Sequence, residues 1–384
     1  MNFASPRMVF STAVMIALCA SFANGQSAPA QKPLMAEDVF KNVQVLKGIP
    51  VDEFMATMGI FSAALGMSCE NCHAANDSKW ENYAGDNTET KKTARRMVAM
   101  MGTINKSFFG GRQVVTCFSC HRGGDHPKTT PDLAALYGGM AEDDLDDIVQ
   151  QAPGQPQPEE VLDKYIQALG GAQRLESITS FVAKGTSSGY GPESAKRGIE
   201  IYAKAPGQRT TIIHTDNGDS TTTFDGRVGW VGAPLAPVKV LPLTGGELEG
   251  VKLDAELSFP ARIKQSLGQW RVGRPSIIDD RKVLVVQGTT AGGSVATLYF
   301  DPETNLLVRM RRYANSPVGR IPTQYDFSDY RDVSGVKMAF RWTMTWLDGR
   351  EQVELTEIRP NVAIDAAKFA KPATPAAPSR AAAR

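Results

Sequence analysis

The chain has 384 residues, of which 42% are hydrophobic and 22% charged, and its formal net charge is +1. At roughly 150 residues per domain, this length predicts two domains. The mixed composition excludes a disordered polyelectrolyte and a fibrous repeat. Because the net charge is close to zero, we expect no nucleic-acid partner.

The N-terminus combines a basic start with a short apolar segment and a small-residue exit. The apolar segment runs from Met8 to Ala23 and follows Arg7. This pattern predicts a signal peptide over residues 1–25 and secretion to the periplasm. An uncleaved anchor helix and acylation of Cys19 stay open as alternatives, although the apolar segment is short for a membrane span.

Composition divides the remaining chain into two domains. After a polar leader over 26–35, residues 36–148 contain all four mature cysteines and seven of the fourteen methionines. The Pro/Gln-rich segment 149–158 is typical of a semi-rigid linker. Residues 159–372 contain no cysteine and form the second predicted domain, and the Ala/Pro-rich tail over 373–384 is predicted to be disordered.

Two amphipathic helices are predicted in the first domain. One ends at Gly66, and the other begins at Thr88 or Thr90 and ends at Gly110-Gly111. Their apolar residues recur at helical spacing: Phe54, Met58, Phe61 and Leu65 in the first, and Met97, Met101, Ile104 and Phe108 in the second. Each helix is followed by a pair of cysteines, so the domain contains the same arrangement twice.

Two Cys-x-x-Cys-His motifs account for every mature cysteine: Cys69, Cys72 and His73, then Cys117, Cys120 and His121. This spacing is typical of covalent haem attachment, in which two thiols bind the porphyrin and the histidine binds the iron. The motifs therefore predict two covalently attached haem c groups. A shared zinc site and two short disulfides stay open as alternatives, but 44 residues separate the pairs and short loops strain a disulfide.

A methionine can close the open side of a haem iron, which favours electron transfer and raises the potential. Met58 precedes Cys69 by eleven residues, and Met97 precedes Cys117 by twenty. Both lie on apolar helical faces, so both are candidate sixth ligands. Methionines that only fill the core are the alternative, and Met55, Met100 and Met101 compete as ligands.

The second domain is predicted to begin with a helix over 159–169 and then to consist mainly of strands. A further helix is expected around 254–267. Asp225-Gly226 and Asp348-Gly349 lie between apolar runs and indicate tight hairpins. Many hairpin-linked strands with few helices predict an unclosed antiparallel barrel of the α+β type. The expected fold class is therefore a mostly α cytochrome domain followed by an antiparallel β domain.

Residues 36–127 resemble the cytochrome c subunit of photosynthetic reaction centres. The likeness rests on Glu53-Phe54 followed by Met58, on Arg95-Arg96-Met97, on Ile104-Asn105, and on the segment from Val115 to Gly123 that contains the second motif. The resemblance implies that Met58 is the sixth ligand of the His73 haem and Met97 that of the His121 haem. Members of the family usually carry four haem motifs, whereas this chain carries two.

Residues 159–372 resemble the lipoprotein-carrier (Lol-type) fold, an unclosed barrel wrapped around a helix. The likeness rests on the run from Tyr325 to Lys337 and on the end Phe369-Ala370-Lys371-Pro372. The resemblance implies an apolar interior that can hold a lipid or another apolar ligand. Four tryptophans are candidates to line such a cavity or to fill an ordinary core: Trp230, Trp270, Trp342 and Trp346.

Together these features predict a periplasmic two-haem c-type cytochrome that transfers electrons between redox protein partners, membrane-bound partners included. Such a protein is not an enzyme and needs no catalytic residue. Two alternatives stay open: a peroxidase-like enzyme with one open haem, and an envelope carrier or binding protein with an apolar cargo in its second domain.

Overall fold

The computed structural model describes residues 32–73, 80–131, 133, 148, 150–189 and 195–374. The predicted signal peptide, Cys19 and most of the predicted tail lie outside these residues. From Pro33 onward, the described residues form one compact unit. Within these ranges, no helix combines the length and the apolar character that a membrane crossing requires.

The N-terminal part is helical. Its elements are α1 (Ala36–Val39), α2 (Val51–Leu65), α3 (Cys69–Cys72), a 3-10 helix (Trp80–Ala84), α4 (Glu89–Phe108) and α5 (Cys117–His121). Helix α2 stops where Gly66 turns left-handed at φ 63°. Thr88 caps α4 by accepting a hydrogen bond from the Lys91 N–H. Both predicted helices are confirmed, with the predicted stop of the first and start of the second.

The C-terminal part has a few helices around a large sheet. They are α6 (Pro158–Ala168), α7 (Ala172–Ser177), α8 (Gly245–Leu257), a 3-10 helix (Pro260–Arg262), α9 (Ile263–Ser266) and a 3-10 helix (Ala366–Phe369). The single helix predicted over 254–267 is wrong in its bounds. Helix α8 begins nine residues earlier, directly after Thr244, and Pro260 starts a separate 3-10 turn because its ring cannot continue the α-helix.

The strands follow one another along the chain with short connections. They are β1 (Ser180–Gly189), β2 (Arg197–Lys204), β3 (Gln208–Thr215), β4 (Gly218–Phe224), β5 (Gly229–Gly232), β6 (Val240–Pro242), β7 (Gly268–Val272), β8 (Ser276–Ile278), β9 (Arg281–Thr289), β10 (Val295–Phe300), β11 (Leu307–Ser316), β12 (Gly319–Val333), β13 (Val336–Trp346) and β14 (Gly349–Pro360).

Within the described part of the chain, all fourteen strands belong to one sheet system, and every neighbouring pair is antiparallel. The order runs from β6 through β1 to β14 and then back along the chain to β9 and β7, with β8 also paired to β9. The first and last strands are therefore neighbours at the centre, and the ends of the sheet do not pair. This open antiparallel sheet after a helical part confirms the predicted fold class.

The main core lies between one face of this sheet and helices α6, α7 and α8. Its fully buried members include Leu162 of α6, Leu253 of α8, and Val286 and Leu298 of the sheet. Alternate residues of β9 face the opposite side, where Val283 and Val285 pack with Ile148. A separate cluster lies between the helical part and the end of the β11–β12 hairpin.

The segment predicted as a linker lies against β7. The Val272 N–H donates to the Gln151 side-chain oxygen at 2.8 Å, and the Ala152 N–H donates to the Val272 carbonyl at 2.8 Å. These contacts join the end of the helical part to the sheet. The domain boundaries at 148 and 159 stay predictions.

Candidate haem-binding site

The first motif forms the short helix α3 and the residue after it. The Asn71 side chain accepts a hydrogen bond from the Ser68 N–H at 2.8 Å, which fixes the start of the helix. One helical turn therefore presents both Cys69, which is exposed, and Cys72, which is half-buried, as free thiols. His73 follows at the end of the turn.

The His73 ring is oriented by its backbone surroundings. Its Nδ1–H donates to the Tyr83 carbonyl at 2.9 Å, and the two rings stack with centroids 4.9 Å apart. Burial lowers the pKa of His73, and the charges of Lys91 and Arg95 lower it further. The imidazole is thus held neutral with Nε2 as its free lone pair, which is the form that binds a metal ion.

The segment that supplies the Tyr83 carbonyl is fixed by charged side chains of α4. Lys91 Nζ donates to the Tyr83 carbonyl at 2.7 Å and to the Gly85 carbonyl at 2.8 Å. Arg95 donates to Asp86 at 2.7 Å. Hydrogen bonds from Asn42 and Arg95 lower the pKa of Asp86, so this carboxylate is ionised at neutral pH.

The second motif repeats this design with different residues. The Thr116 N–H donates to the Ser119 hydroxyl at 3.0 Å, so α5 also begins with a reciprocal cap. His121 Nδ1–H donates to the Gly124 carbonyl at 3.0 Å, which again leaves Nε2 free. The chain turns back to reach this carbonyl because Arg122 and Gly123 both adopt positive φ, at 50° and 82°.

Asn105 of α4 fixes the segment that leads into the second motif. Its side-chain oxygen accepts hydrogen bonds from the N–H groups of Val114 at 3.1 Å and Val115 at 2.9 Å, and its amide donates to the Val115 carbonyl at 2.7 Å. Because Asn105 is buried, these bonds are partly shielded from water. The side chain therefore sets the path of the chain just before Cys117.

Two of the four thiols have raised pKa values. Burial raises the pKa of the Cys117 thiol to about 11 and also raises that of Cys72, whereas reactive thiols have lowered pKa values. All four thiols are free. In the described ranges, no three His, Cys, Asp or Glu side chains are grouped for metal binding.

Helix α2 has two apolar faces with different surroundings. Ile60 and Ala64 are buried within the protein, with 5% and 1% of their surfaces exposed. Met58 lies about 160° around the helix from Ile60, since each residue turns the helix by roughly 100°. The face that carries Met58 also carries Phe54 and Phe61, and all three are only half-buried. An apolar face left partly uncovered in this way fits the surface of a bound haem.

Helix α4 also carries both buried and uncovered apolar residues. Val98 and Met101 are buried against the protein, whereas Met97 is half-buried. Met100 and Phe108 are exposed, Phe108 by 78%. Among the competing methionines of this helix, Met101 therefore belongs to the protein core, and Met97 lies beside uncovered apolar surface. The donor set of the two motifs and the uncovered faces of α2 and α4 both fit covalently held haem.

A cavity of about 390 Å³ lies between the sheet and α8. Its lining is mainly apolar and includes Tyr165, Phe181, Leu257, Phe327, Met338 and Trp342. Of the four candidate tryptophans, all within the described residues, Trp342 alone lines this cavity. Trp230 is buried and Trp270 packs against the main core, as the ordinary-core alternative predicts, whereas Trp346 is 37% exposed.

Several residues that organise the site could not be singled out from the sequence. Tyr83 and Gly124 act through backbone carbonyls, which leave no mark on side-chain identity. Lys91 looks like an ordinary charged residue of a helix surface, but its side chain is 13% exposed. Asn105 belongs to the Ile104-Asn105 pair on which the family resemblance rests, but its structural role is seen only in its hydrogen bonds with Val114 and Val115.

Comparison with known proteins separates the two parts of the chain. Residues 13–134 match the family model "Photosynthetic reaction centre cytochrome C subunit". A cytochrome c subunit of the photosynthetic reaction center from Roseobacter denitrificans is 35% identical over 101 residues, which cover 24% of this chain and 27% of that protein. The corresponding subunit from Thermochromatium tepidum is 35% identical over 97 residues, 24% of this chain and 23% of that protein.

Solved structures match the C-terminal part. A LolA superfamily protein from Nitrosomonas europaea aligns with 56% of this chain and 99% of its own length, at 14% identity and a TM-score of 0.39. A DUF1329 family protein from Desulfovibrio piger aligns with 56% of this chain and 98% of its own, at 13% identity and a TM-score of 0.40. This chain spans about a quarter of the length of the curated cytochrome relatives. The N-terminal part of the chain is thus similar in sequence to the cytochrome c subunits of photosynthetic reaction centres.

Proposed function

We propose that the protein is a periplasmic two-haem c-type cytochrome that transfers electrons between redox protein partners. Thioether bonds would hold the two porphyrins, and histidine and methionine would bind each iron. The residues for the first haem are Cys69, Cys72, His73 and Met58. Those for the second haem are Cys117, Cys120, His121 and Met97.

The observation that carries this proposal is the matched orientation of the two motif histidines. Both donate Nδ1–H to a backbone carbonyl, Tyr83 for His73 and Gly124 for His121. A metal-binding histidine is usually held in this way, because the second hydrogen bond fixes the tautomer and the direction of Nε2. Two independent motifs with the same arrangement are difficult to explain by packing alone.

A c-type haem, when bound, supplies a one-electron iron couple. The chain's own contribution is to hold the porphyrin covalently, to fix the histidine rings, and to cover the porphyrin with the apolar faces of α2 and α4. If Met58 and Met97 bound the irons, their sulfur would raise the potential and would block the binding of peroxide. This arrangement favours electron transfer over the peroxidase-like alternative.

The ligand assignment is tested by replacing each methionine. Met58→Ala and Met97→Ala should each abolish the far-red methionine-to-iron band of one haem, while Met55→Ala and Met100→Ala serve as controls in the same helices and leave it unchanged. A high-spin ferric signal with peroxide turnover in the wild type would instead support the enzyme. An unchanged band in both ligand variants would contradict the assignment.

The proposed location follows from the predicted signal peptide over residues 1–25. Expression of the full chain in a bacterium that matures c-type cytochromes should give a periplasmic protein whose sequence starts after Gly25. A purified protein that keeps residues 1–25, or that carries a lipid on Cys19, would contradict secretion and would support membrane anchoring.

The cavity between the sheet and α8 favours a second function, the binding of a lipid or another apolar ligand. Apolar side chains line it, and a few polar groups meet at one place: Tyr325 donates to Asp254 at 2.8 Å, and Arg209 donates to Ser258 at 2.7 Å. Pockets of this size and lining are typical of small-ligand sites.

Cargo binding is tested with a fluorescent fatty acid as the probe. Met338→Trp should fill the cavity and weaken binding, whereas Ile277→Trp, at an exposed position of β8, should not. Equal binding by both variants, or native mass spectra of purified protein without any lipid, would contradict cargo binding. The haem proposal does not depend on this outcome.

A further inference from the structure

The turn of the β11–β12 hairpin is part of the core of the helical domain. Val318 lies in the two-residue turn between the strands, a position that is normally exposed, yet none of its surface is exposed. It belongs to a cluster drawn from both parts of the chain. The buried members are Leu46, Ile60, Ala64, Val98, Met101, Ala314, Val318 and Ile321.

The hairpin contacts the two helices at their protein-facing sides. Ile60 and Ala64 come from α2, and Val98 and Met101 come from α4. The hairpin residues Ala314, Val318 and Ile321 are buried in the same cluster as these four side chains. Met58 and Cys117 are among the partly buried residues that pack against the same cluster. The hairpin therefore lies behind residues proposed to hold haem.

The turn is also joined to the segment that leads into the second motif. Gln113 donates from its side-chain amide to the Ser316 carbonyl at 2.8 Å. A Cβ atom added to Gly319 would lie 3.6 Å from both Ile60 and Thr116. Thr116 is the cap of α5, so the turn packs beside the residue directly before Cys117.

Two further contacts connect the sheet domain to the first motif. Asp52 of α2 is buried and accepts hydrogen bonds from the Thr244 N–H at 2.5 Å and from its hydroxyl at 2.9 Å. Trp80 donates from Nε1 to the Leu235 carbonyl at 2.9 Å. Trp80 begins the 3-10 helix that supplies the Tyr83 carbonyl to His73.

We propose that the β11–β12 hairpin is a positioning element for the haem ligands. By filling the cluster against which Met58 packs, it fixes the position of Met58 on α2. Through Gln113 and Thr116, it also fixes the approach to Cys117. The inference rests on the proposed function, and it gives the sheet domain a structural task within the cytochrome.

The alternative is that the helical domain merely rests on the sheet through surface contacts. In that case, its core would be complete without the hairpin. The full burial of Val318, and the near-complete burial of Ala314 and Ile321 in one cluster with side chains of α2 and α4, argue against this alternative.

The experiment compares Val318→Asn with Val286→Asn in the full chain. Both valines are fully buried, but Val286 belongs to the main core of the sheet domain. The readouts are the haem count per chain, the far-red methionine-to-iron band and the midpoint potentials. Circular dichroism reports separately whether each variant is folded.

Val318→Asn should keep both haems and reduce methionine ligation roughly tenfold, because a buried polar group without partners disrupts the cluster. Each tenfold loss of ligation in the reduced state relative to the oxidised state lowers the midpoint potential by about 59 mV. Val286→Asn should leave band and potentials unchanged, and Val318→Ile should retain the wild-type band.

If Val318→Asn does not fold, Gln113→Ala replaces it, since this change removes the contact to Ser316 without altering the core. It should shift the potential of the second haem. An unchanged band and unchanged potentials in the folded hairpin variant, or equal changes in Val286→Asn, would overturn this inference alone. A wild-type protein without haem would instead contradict the proposed function.

Discussion

Backbone carbonyls, rather than conspicuous side chains, orient the two motif histidines. The Tyr83 carbonyl accepts from both His73 and Lys91, at 2.9 Å and 2.7 Å. Lys91 thereby fixes the Tyr83 carbonyl, and this carbonyl in turn orients the His73 ring. Such indirect support is typical of metal sites, where the second layer of contacts determines how the ligand is aimed.

Asp52 gives the interface between α2 and α8 a pH dependence. Burial raises the pKa of Asp52, although the hydrogen bonds from Thr244 partly oppose this effect. A carboxyl group with a raised pKa in the folded state binds its proton more tightly there than in the unfolded chain. Its contribution to stability is therefore greatest at acidic pH and is lost as the pH rises through the folded-state pKa.

Asp52→Asn should remove this dependence. Relative to the wild type, the variant should gain stability as the pH rises from below 4 towards 7, measured by denaturant unfolding at a series of pH values. Asp219→Asn, at an exposed position of β4, is measured in the same way as the control. A difference between the Asp52 variant and the wild type that does not change with pH would contradict the assigned role.

Asn105 should be the most sensitive asparagine of the helical domain. Asn105→Ala leaves the N–H groups of Val114 and Val115 without their acceptor, and an unsatisfied buried group costs about 1–3 kcal/mol. We expect a loss of this size in the free energy of unfolding. Asn217→Ala, in an exposed hairpin turn, should change the free energy of unfolding by less than about 0.5 kcal/mol. Equal losses in the two variants would show that the Asn105 contacts do not contribute to stability.

Helix ends were predictable from the sequence because they depend on neighbouring residues. The stop at Gly66 and the cap at Thr88 follow from glycine's access to positive φ and from the cap's hydroxyl. The functional faces were less predictable. In α2, the periodicity of apolar residues selected the face with Phe54 and Met58, but that face is only half-buried. Ile60 is buried instead, because it packs with the β11–β12 hairpin, which lies more than 250 residues later in the chain.

Short strands of the sheet are difficult to recognise in the sequence. The apolar patterns indicated many hairpin-linked strands, but β6, β7 and β8 contain only three to five residues each. Strands of this length are too short for alternation to be recognised. They form because β5 and β9 offer free edges for pairing, which is a property of the assembled sheet rather than of the local sequence.

The close contact between the end of α2 and the second motif depends on Gly66. A Cβ there would lie 2.5 Å from the Gly123 carbonyl oxygen, and φ is 63°. Gly66→Ala should lower the melting temperature more than Gly48→Ala, whose φ is 79° but whose Cβ would meet nothing within 4 Å. The left-handed backbone alone costs about 1–2 kcal/mol in both variants.

The extra loss in Gly66→Ala measures the clash with Gly123. Because Gly123 also donates its N–H to the Ala64 carbonyl at 2.9 Å, the displaced loop should disturb the second motif as well. Similar melting temperatures for the two variants would mean that the loop can move away without loss.

The helical part and the sheet contact each other at several points. The described residues from Pro33 onward cluster together, and the contacts of Val318, Asp52 and Trp80 connect them at separate points. A two-domain composition was visible in the sequence. The shared core was not, because its members come from segments far apart along the chain.

This organisation predicts that the helical segment does not behave as an autonomous cytochrome. Coexpression with the haem-attachment machinery should give residues 36–148 in a less stable form than the same segment within the full chain. Limited proteolysis should therefore cleave the isolated segment within α2 or α4 at protease concentrations that leave the full chain intact. Equal resistance would show that the helical core is complete without the sheet domain.

Haem content tests the central claim most directly. The full-length protein, purified after maturation in a periplasm that attaches haem c, should be coloured. Its pyridine haemochrome spectrum and intact mass should correspond to two covalently bound haems per chain, one for each Cys-x-x-Cys-His motif. A colourless protein whose mass equals that of the bare polypeptide would contradict the account.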